Sequence, residues 1–213
     1  MTTNRTFLSI AFTIVLTATA AFGEYKVAPA GAPPAELAPP IAALLQKTGF
    51  KISAPDGSTY CEVWFVEKPP SGIQSTETDL MWKTAPPGSV TGAIKYHTDG
   101  HDRRGQSIKP GVYTMRFSMF PINGDHQGAA PNRDFFVVIP AALDQDPQPV
   151  AKFDDLMKMT RKTSGTPHPA VLSIWLVEND FQPGLHQMGE DWALMTKIGD
   201  IKLAIILVGK VDA

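Results

Sequence analysis

Residues 109–120 read KPGVYTMRFSMF, from Lys109 to Phe120. Pro110 and Gly111 stand where a type II turn takes a proline and a glycine. After them Tyr113, Met115, Phe117 and Met119 alternate with Thr114, Arg116 and Ser118. Successive side chains of a strand point to opposite faces, so this period of two predicts a β-strand over 112–120. Similar runs lie on either side: Tyr60–Val66 and Val90–His97 before it; Phe135–Ile139, Ala170–Val177, Trp192–Ile198 and Ile201–Val208 after it. Most are bounded by proline and glycine, and the last two face each other across Gly199-Asp200 as a hairpin. Only Ile41–Lys47 and Phe153–Lys162 carry helical patterns; in the second, Phe153, Leu156, Met157 and Thr160 share a face. A parallel α/β fold needs a helix after nearly every strand, which this chain lacks. The pattern predicts a mainly β protein, an antiparallel β-sandwich or jelly roll with two short helices.

The first 23 residues have another character. Arg5 and the amino terminus are positive, Phe7–Ala20 is mostly apolar and free of charge, and small residues follow. That order is the pattern of a secretory signal peptide, with cleavage expected after Ala20 or Gly23. The apolar run falls short of the roughly 20 residues a spanning helix needs. No later run is longer, so no membrane span is expected once the signal is removed. Residues 24–40 are rich in alanine and proline and read as an arm across the surface. Residues 41–213 remain for a single β-sandwich domain, large enough to hold a core without staples.

Composition excludes some partners. Without Arg5, 18 basic residues face 21 acidic ones, a net charge of −3, and no basic block exceeds two residues. Phosphate backbones call for a basic surface, so nucleic acid is not an expected partner. Cys61 is the sole cysteine. It sits within an apolar strand pattern, where a small buried thiol is expected rather than a disulfide or a nucleophile.

The phrase Ile108-Lys109-Pro110-Gly111-Val112-Tyr113-Thr114-Met115 resembles the [IL]-x-x-G-x-Y-[ST]-L strand of small exported bacterial β-domains of unknown function. The order of elements from Thr91 to Val208 is similar to theirs as well. The resemblance implies the β fold and export to the periplasm or the cell exterior. It transfers no catalytic residue, and the long segment holding Asp125 and His126 departs from it.

Two polar stretches stand out. "YHTDGHDRRG", residues 96–105, offers His97, Asp99, His101 and Asp102. "INGDHQGAAPNRD", residues 122–134, offers Asp125, His126, Arg133 and Asp134. Zinc and similar ions want three or four converging N, O or S ligands, but no H-E-x-x-H or C-x-x-C pattern is present. Asp99-Gly100 and Asn123-Gly124 read more simply as turns. The second loop exceeds ordinary hairpin length, which is common in binding loops. His97, His101, Asp125, His126 and Arg133 are therefore expected on one rim. Ser164 and His168 lack a Gly-x-Ser-x-Gly elbow. The acidic pairs Asp144/Asp146 and Glu190/Asp191 read as solvated turns. Trp64 shares a strand face with Tyr60 and Glu62, which suggests a partly open face, but core packing is the default expectation for each tryptophan.

The expected function is that of an exported, non-enzymatic module taking a small ligand, a glycan or an envelope protein through rim loops. The alternative is a metal-dependent hydrolase or isomerase on a cupin-like barrel using the same histidines; the sequence names no cofactor.

Overall fold

The computed structural model describes residues 24–72, 74–121 and 130–209. The expected signal peptide, and the loop positions Asp125 and His126, lie outside the described residues. The strands are β1 (Lys26–Pro29), β2 (Phe50–Ser53), β3 (Thr59–Phe65), β4 (Val90–Tyr96), β5 (Gly100–His101), β6 (Ser107–Ile108), β7 (Gly111–Met119), β8 (Asp134–Pro140), β9 (Val171–Leu176), β10 (Gly184–Met188), β11 (Asp191–Ile198) and β12 (Ile201–Val208). The helices are α1 (Pro39–Ala42) and α2 (Phe153–Ser164). Ten strands form one antiparallel sheet in the order β1-β2-β3-β4-β7-β8-β9-β12-β11-β10, and β5 and β6 form a separate ribbon. The sheet curls into a near barrel, bringing β1 towards β10, and Tyr25 packs on Trp192 with ring centroids 5.7 Å apart. The mainly β antiparallel class matches the expectation. Within it, β10, β11 and β12 run as successive neighbours and β12 lies beside β9, a Greek-key arrangement.

Alternation on β7 organises the core. Tyr113, Met115 and Phe117 join the main apolar cluster with Trp64, Ile94, Phe136, Leu172, Leu194 and Ile205. The opposite face is buried as well, because Thr114, Arg116 and Ser118 are all covered. Arg116 explains how. Its Nε and Nη2 donate to the two carboxylate oxygens of Asp144 at 2.7 Å, and Nη1 donates to the carbonyls of Gly88 and Gln148 at 2.6 and 2.8 Å. Nη2 also reaches the Asp146 carbonyl, and Thr114 donates to Asp144. A planar guanidinium can satisfy this many acceptors at once, so the charge is buried without orphaned donors. Asp144, expected as a solvated turn residue, is thus an internal anchor with 2 % of its surface exposed.

Strand β8 is buried on both sides. Phe136 and Val138 face the main core, while Phe135, Val137 and Ile139 pack under Leu156 and Met157 of α2. A strand covered on both faces reads as an unbroken apolar run, which is how 135–139 reads. Helix α2 has Asp154 and Asp155 in its first turn and Arg161 and Lys162 in its last, as the helix dipole favours. It stops at Gly165, which takes the left-handed φ of 66° and caps the Arg161 carbonyl. The Thr160 and Thr163 hydroxyls tie it to the Val138 carbonyl at 2.8 Å.

The first helix is shorter than the pattern over 41–47 predicts. Leu45 forms an antiparallel bridge with Val66, and Gln46 N–H donates to the Phe65 carbonyl at 2.9 Å. Pairing with the end of β3 takes the backbone donors that a second helical turn would need. Part of the alanine- and proline-rich segment is strand: β1 pairs with β2, and Leu37 and Ala38 are buried. Trp64 is closed off too, at 2 % exposure, with its indole N–H donating to the Gly31 carbonyl at 2.8 Å. A Cβ at Gly49 would sit 2.5 Å from that indole nitrogen, so the close approach depends on glycine.

Candidate functional site

Register separates the expected rim residues into two groups. Tyr96 pairs with Gly111 at the start of β7, whereas Met119 at its end pairs with Asp134. His97 and His101 therefore lie at one end of β7 and Arg133 at the other. The eight residue steps of β7 correspond to about 26 Å at roughly 3.3 Å per residue. Among the described residues of the expected rim, His97 and His101 are thus separated from Arg133, because positions before and after a strand lie at its opposite ends.

At the first end each histidine has its own partner. His97 Nε2 lies 2.8 Å from Glu62 Oε2, and His101 Nδ1 lies 3.1 Å from the Asp102 carbonyl. The Asp102 carboxylate is fully buried and folds the β5–β6 ribbon around itself. It accepts from the Arg104 and Gln106 N–H groups at 3.0 Å and from Arg104 Nη2 at 2.7 Å. Arg104 also reaches the Pro169 carbonyl at 2.6 Å, holding the ribbon against the start of β9. The "HTDGHD" stretch is therefore a pinned ribbon. Among the described residues no three histidine, cysteine, aspartate or glutamate side chains are grouped so as to hold a metal ion.

Four tyrosines meet edge to face at this same end: Tyr25 with Tyr60, Tyr60 with Tyr96 and Tyr96 with Tyr113, at centroid separations of 5.9, 5.7 and 6.3 Å. Burial pushes the Tyr60 and Tyr96 hydroxyls well above the ordinary phenol range. Burial likewise pushes the Cys61 thiol up, and Cys61 has no exposed surface. Neither a phenolate nor a thiolate nucleophile is available there near neutral pH. Ser164 donates to the His168 carbonyl at 2.6 Å, a bond that closes the loop after α2.

The second end has a different anatomy. Arg133 Nε donates to the Phe120 carbonyl at 2.9 Å, and Nη1 pairs with Asp79 at 2.8 Å and with Glu77. The next residue, Asp134, is buried. Its Oδ2 accepts from the Trp82 and Met81 N–H groups at 2.8 and 3.2 Å, while Oδ1 has no partner among the described residues. Burial raises its pKa above the usual carboxylate value, with the two N–H bonds opposing. Beside Arg133 opens a cleft of about 340 Å³, walled largely by Pro87, Met119, Phe120, Val150, Phe153 and Leu156. Ser118 lies in its floor, with a buried hydroxyl that has no partner among the described residues.

Of the residues singled out in the sequence that are described, His97, His101 and Arg133, only Arg133 lines this cleft. The cleft itself joins segments distant along the chain, around residues 77, 87, 120, 133 and 153, which no local pattern connects. Comparison with known proteins found no matching family, no matching curated protein and no matching solved structure.

Proposed function

We propose that this chain is an exported, non-enzymatic β protein that binds a small amphipathic ligand in the cleft beside Arg133. One observation carries the reading: a cationic side chain fixed by three partners stands at the mouth of a largely apolar concavity. Small-molecule sites combine apolar walls with a few polar groups held in place in this way. Fixing Arg133 beforehand removes an ordering cost that binding would otherwise meet. Glu77 and Asp79 together outweigh the single guanidinium charge, so the cleft favours a neutral or cationic polar end over an anionic one. His97 and His101, at the far end of β7 and bonded to Glu62 and the Asp102 carbonyl, take no part.

The test is a thermal shift series with hexanol, hexylamine and hexanoate at equal concentration. Ligand that binds only the folded state raises its stability by mass action. Hexanol and hexylamine should raise the melting temperature more than hexanoate, and Ala151→Trp, which fills the cleft from its exposed edge, should abolish the difference. No shift with any probe, or an unchanged shift in Ala151→Trp, contradicts the site. Stoichiometric metal in untagged protein would favour the hydrolase alternative instead.

A further inference from the structure

The outer face of β9, β12 and β11 holds a second concavity, separate from the cleft at Arg133. It encloses about 460 Å³ and is lined by Trp175, Ser173, Asn132, Met188, Arg103 and Asp191 among others. Helix α2 packs over β8 and Val171 at the start of β9. Leu172 and Ile174 point into the core, so alternation on β9 turns Ser173 and Trp175 outwards. Trp175 is half-buried and faces Ala204 in register, with Met195 beyond, so a small residue stands next to the indole.

The polar groups flank that ring. Arg103 Nε donates to Asp191 Oδ2 at 2.9 Å, and both side chains keep some exposure, 32 % and 13 %. Asp191, expected in a solvated turn, is instead tied into this pair at the start of β11. Asn132 is held by its donation to the Ile174 carbonyl at 2.9 Å. The Ser173 hydroxyl lies in the floor without a partner among the described residues. On β12 the concavity is lined by Ile206.

We propose that this groove binds a neutral saccharide, with the Trp175 indole stacked against a sugar ring and Arg103, Asp191 and Asn132 bonding its hydroxyls. Three observations point there. The arginine and aspartate neutralise each other, so the groove selects for no net charge while still offering both donors and acceptors. A tryptophan supplies a flat apolar platform, which suits the C–H face of a pyranose ring. Strands β9, β12 and β11 are each paired on both sides, leaving no free backbone edge to which a peptide could add a strand. A peptide ligand is disfavoured on that ground.

Isothermal titration of the full chain with cellotetraose, maltotetraose and chitotetraose tests the proposal, read together with quenching of tryptophan fluorescence. At least one tetrasaccharide should bind at millimolar concentration or below. Trp175→Ala should weaken it about tenfold, the scale of a lost aromatic contact, while Trp175→Phe retains most of the affinity. If Trp175→Ala fails to fold, Arg103→Gln carries the test, because this partly exposed side chain can change without disturbing the core; it too should weaken binding. Ala151→Trp should leave saccharide affinity unchanged, so this site and the cleft at Arg133 can fail independently. Absence of binding by all three sugars, or affinity unchanged in both Trp175→Ala and Arg103→Gln, overturns the proposal. So does displacement of a bound sugar by a mixed hexapeptide pool.

Discussion

Arg116 and Arg133 stand on adjacent antiparallel strands or at their ends, and each meets a carboxylate at 2.7–2.8 Å, yet they do different work. Arg116 has no exposed surface, and its acceptors come from Gly88, Asp144, Asp146 and Gln148, so it ties the turn at Gly88 and the stretch 144–148 to β7. Arg133 lies at the mouth of a cleft, and one of its partners, Asp79, is largely exposed. Burial makes the first pair a condition of folding. Partial exposure leaves the second available to a ligand. The same side chain therefore serves architecture or recognition according to how much water surrounds its partners.

The largest expected effect is at the buried pair. Arg116→Met strips Asp144 of its counterion and should cost about 3–5 kcal/mol, the scale found when one partner of a buried pair is removed. Urea denaturation measures it; a loss below about 1 kcal/mol would show that Asp144 is reached by water. Next comes Thr160→Val, which keeps the shape but removes the hydroxyl shared among Val138, Ala170 and the helix. It should cost about 1–3 kcal/mol, because the buried groups it leaves are unsatisfied.

Asp134 gives a pH signature. Its folded pKa is raised, so the folded state holds its proton more tightly than the unfolded chain does. Its contribution to stability is fully present below the ordinary carboxylate value and is lost as pH rises through the elevated folded value. Denaturation of the wild type and Asp134→Asn at several pH values should show the wild type losing ground to the variant across that window. A constant difference would mean that Asp134 titrates normally.

The smaller effects belong to the two ends of β7. Arg133→Gln, from a side chain 11 % exposed with three partners, should cost about 1–3 kcal/mol, and His97→Ala less than about 1 kcal/mol, as partly exposed ion pairs contribute little. They should part in binding: Arg133→Gln, which leaves Glu77 and Asp79 unneutralised, raises the hexylamine response relative to hexanol, and His97→Ala leaves both unchanged. Equal changes in both would erase the distinction between the two ends of β7.

Much of the fold was legible because it is local. The alternation of 112–120, the apolar run 135–139, the hairpin at Gly199-Asp200 and the helical face of Leu156, Met157 and Thr160 all follow from periodicity. Strands β1 and β2 were not, since β1 lies in a proline-rich stretch and pairs only through tertiary contact. The Arg116–Asp144 pair was hidden by a separation of 28 residues, and Asp144 carries ordinary turn chemistry around it. Only the arginine between Thr114 and Ser118 on an alternating strand hinted that the polar face was special. The candidate site was legible at Arg133 alone. The separation of His97 from Arg133 was a point the sequence did contain, for His97 precedes β7 and Arg133 follows it.

The central claim is that ligand binding belongs to the Arg133 end of β7 and not to the histidine end. Amide chemical-shift mapping with hexylamine tests it directly. Shifts are predicted at Ser118–Phe120, Arg133 and Ala151–Leu156, with the ribbon from His97 to Ile108 unchanged. Shifts centred on His97 and His101, with Arg133 silent, would contradict the account.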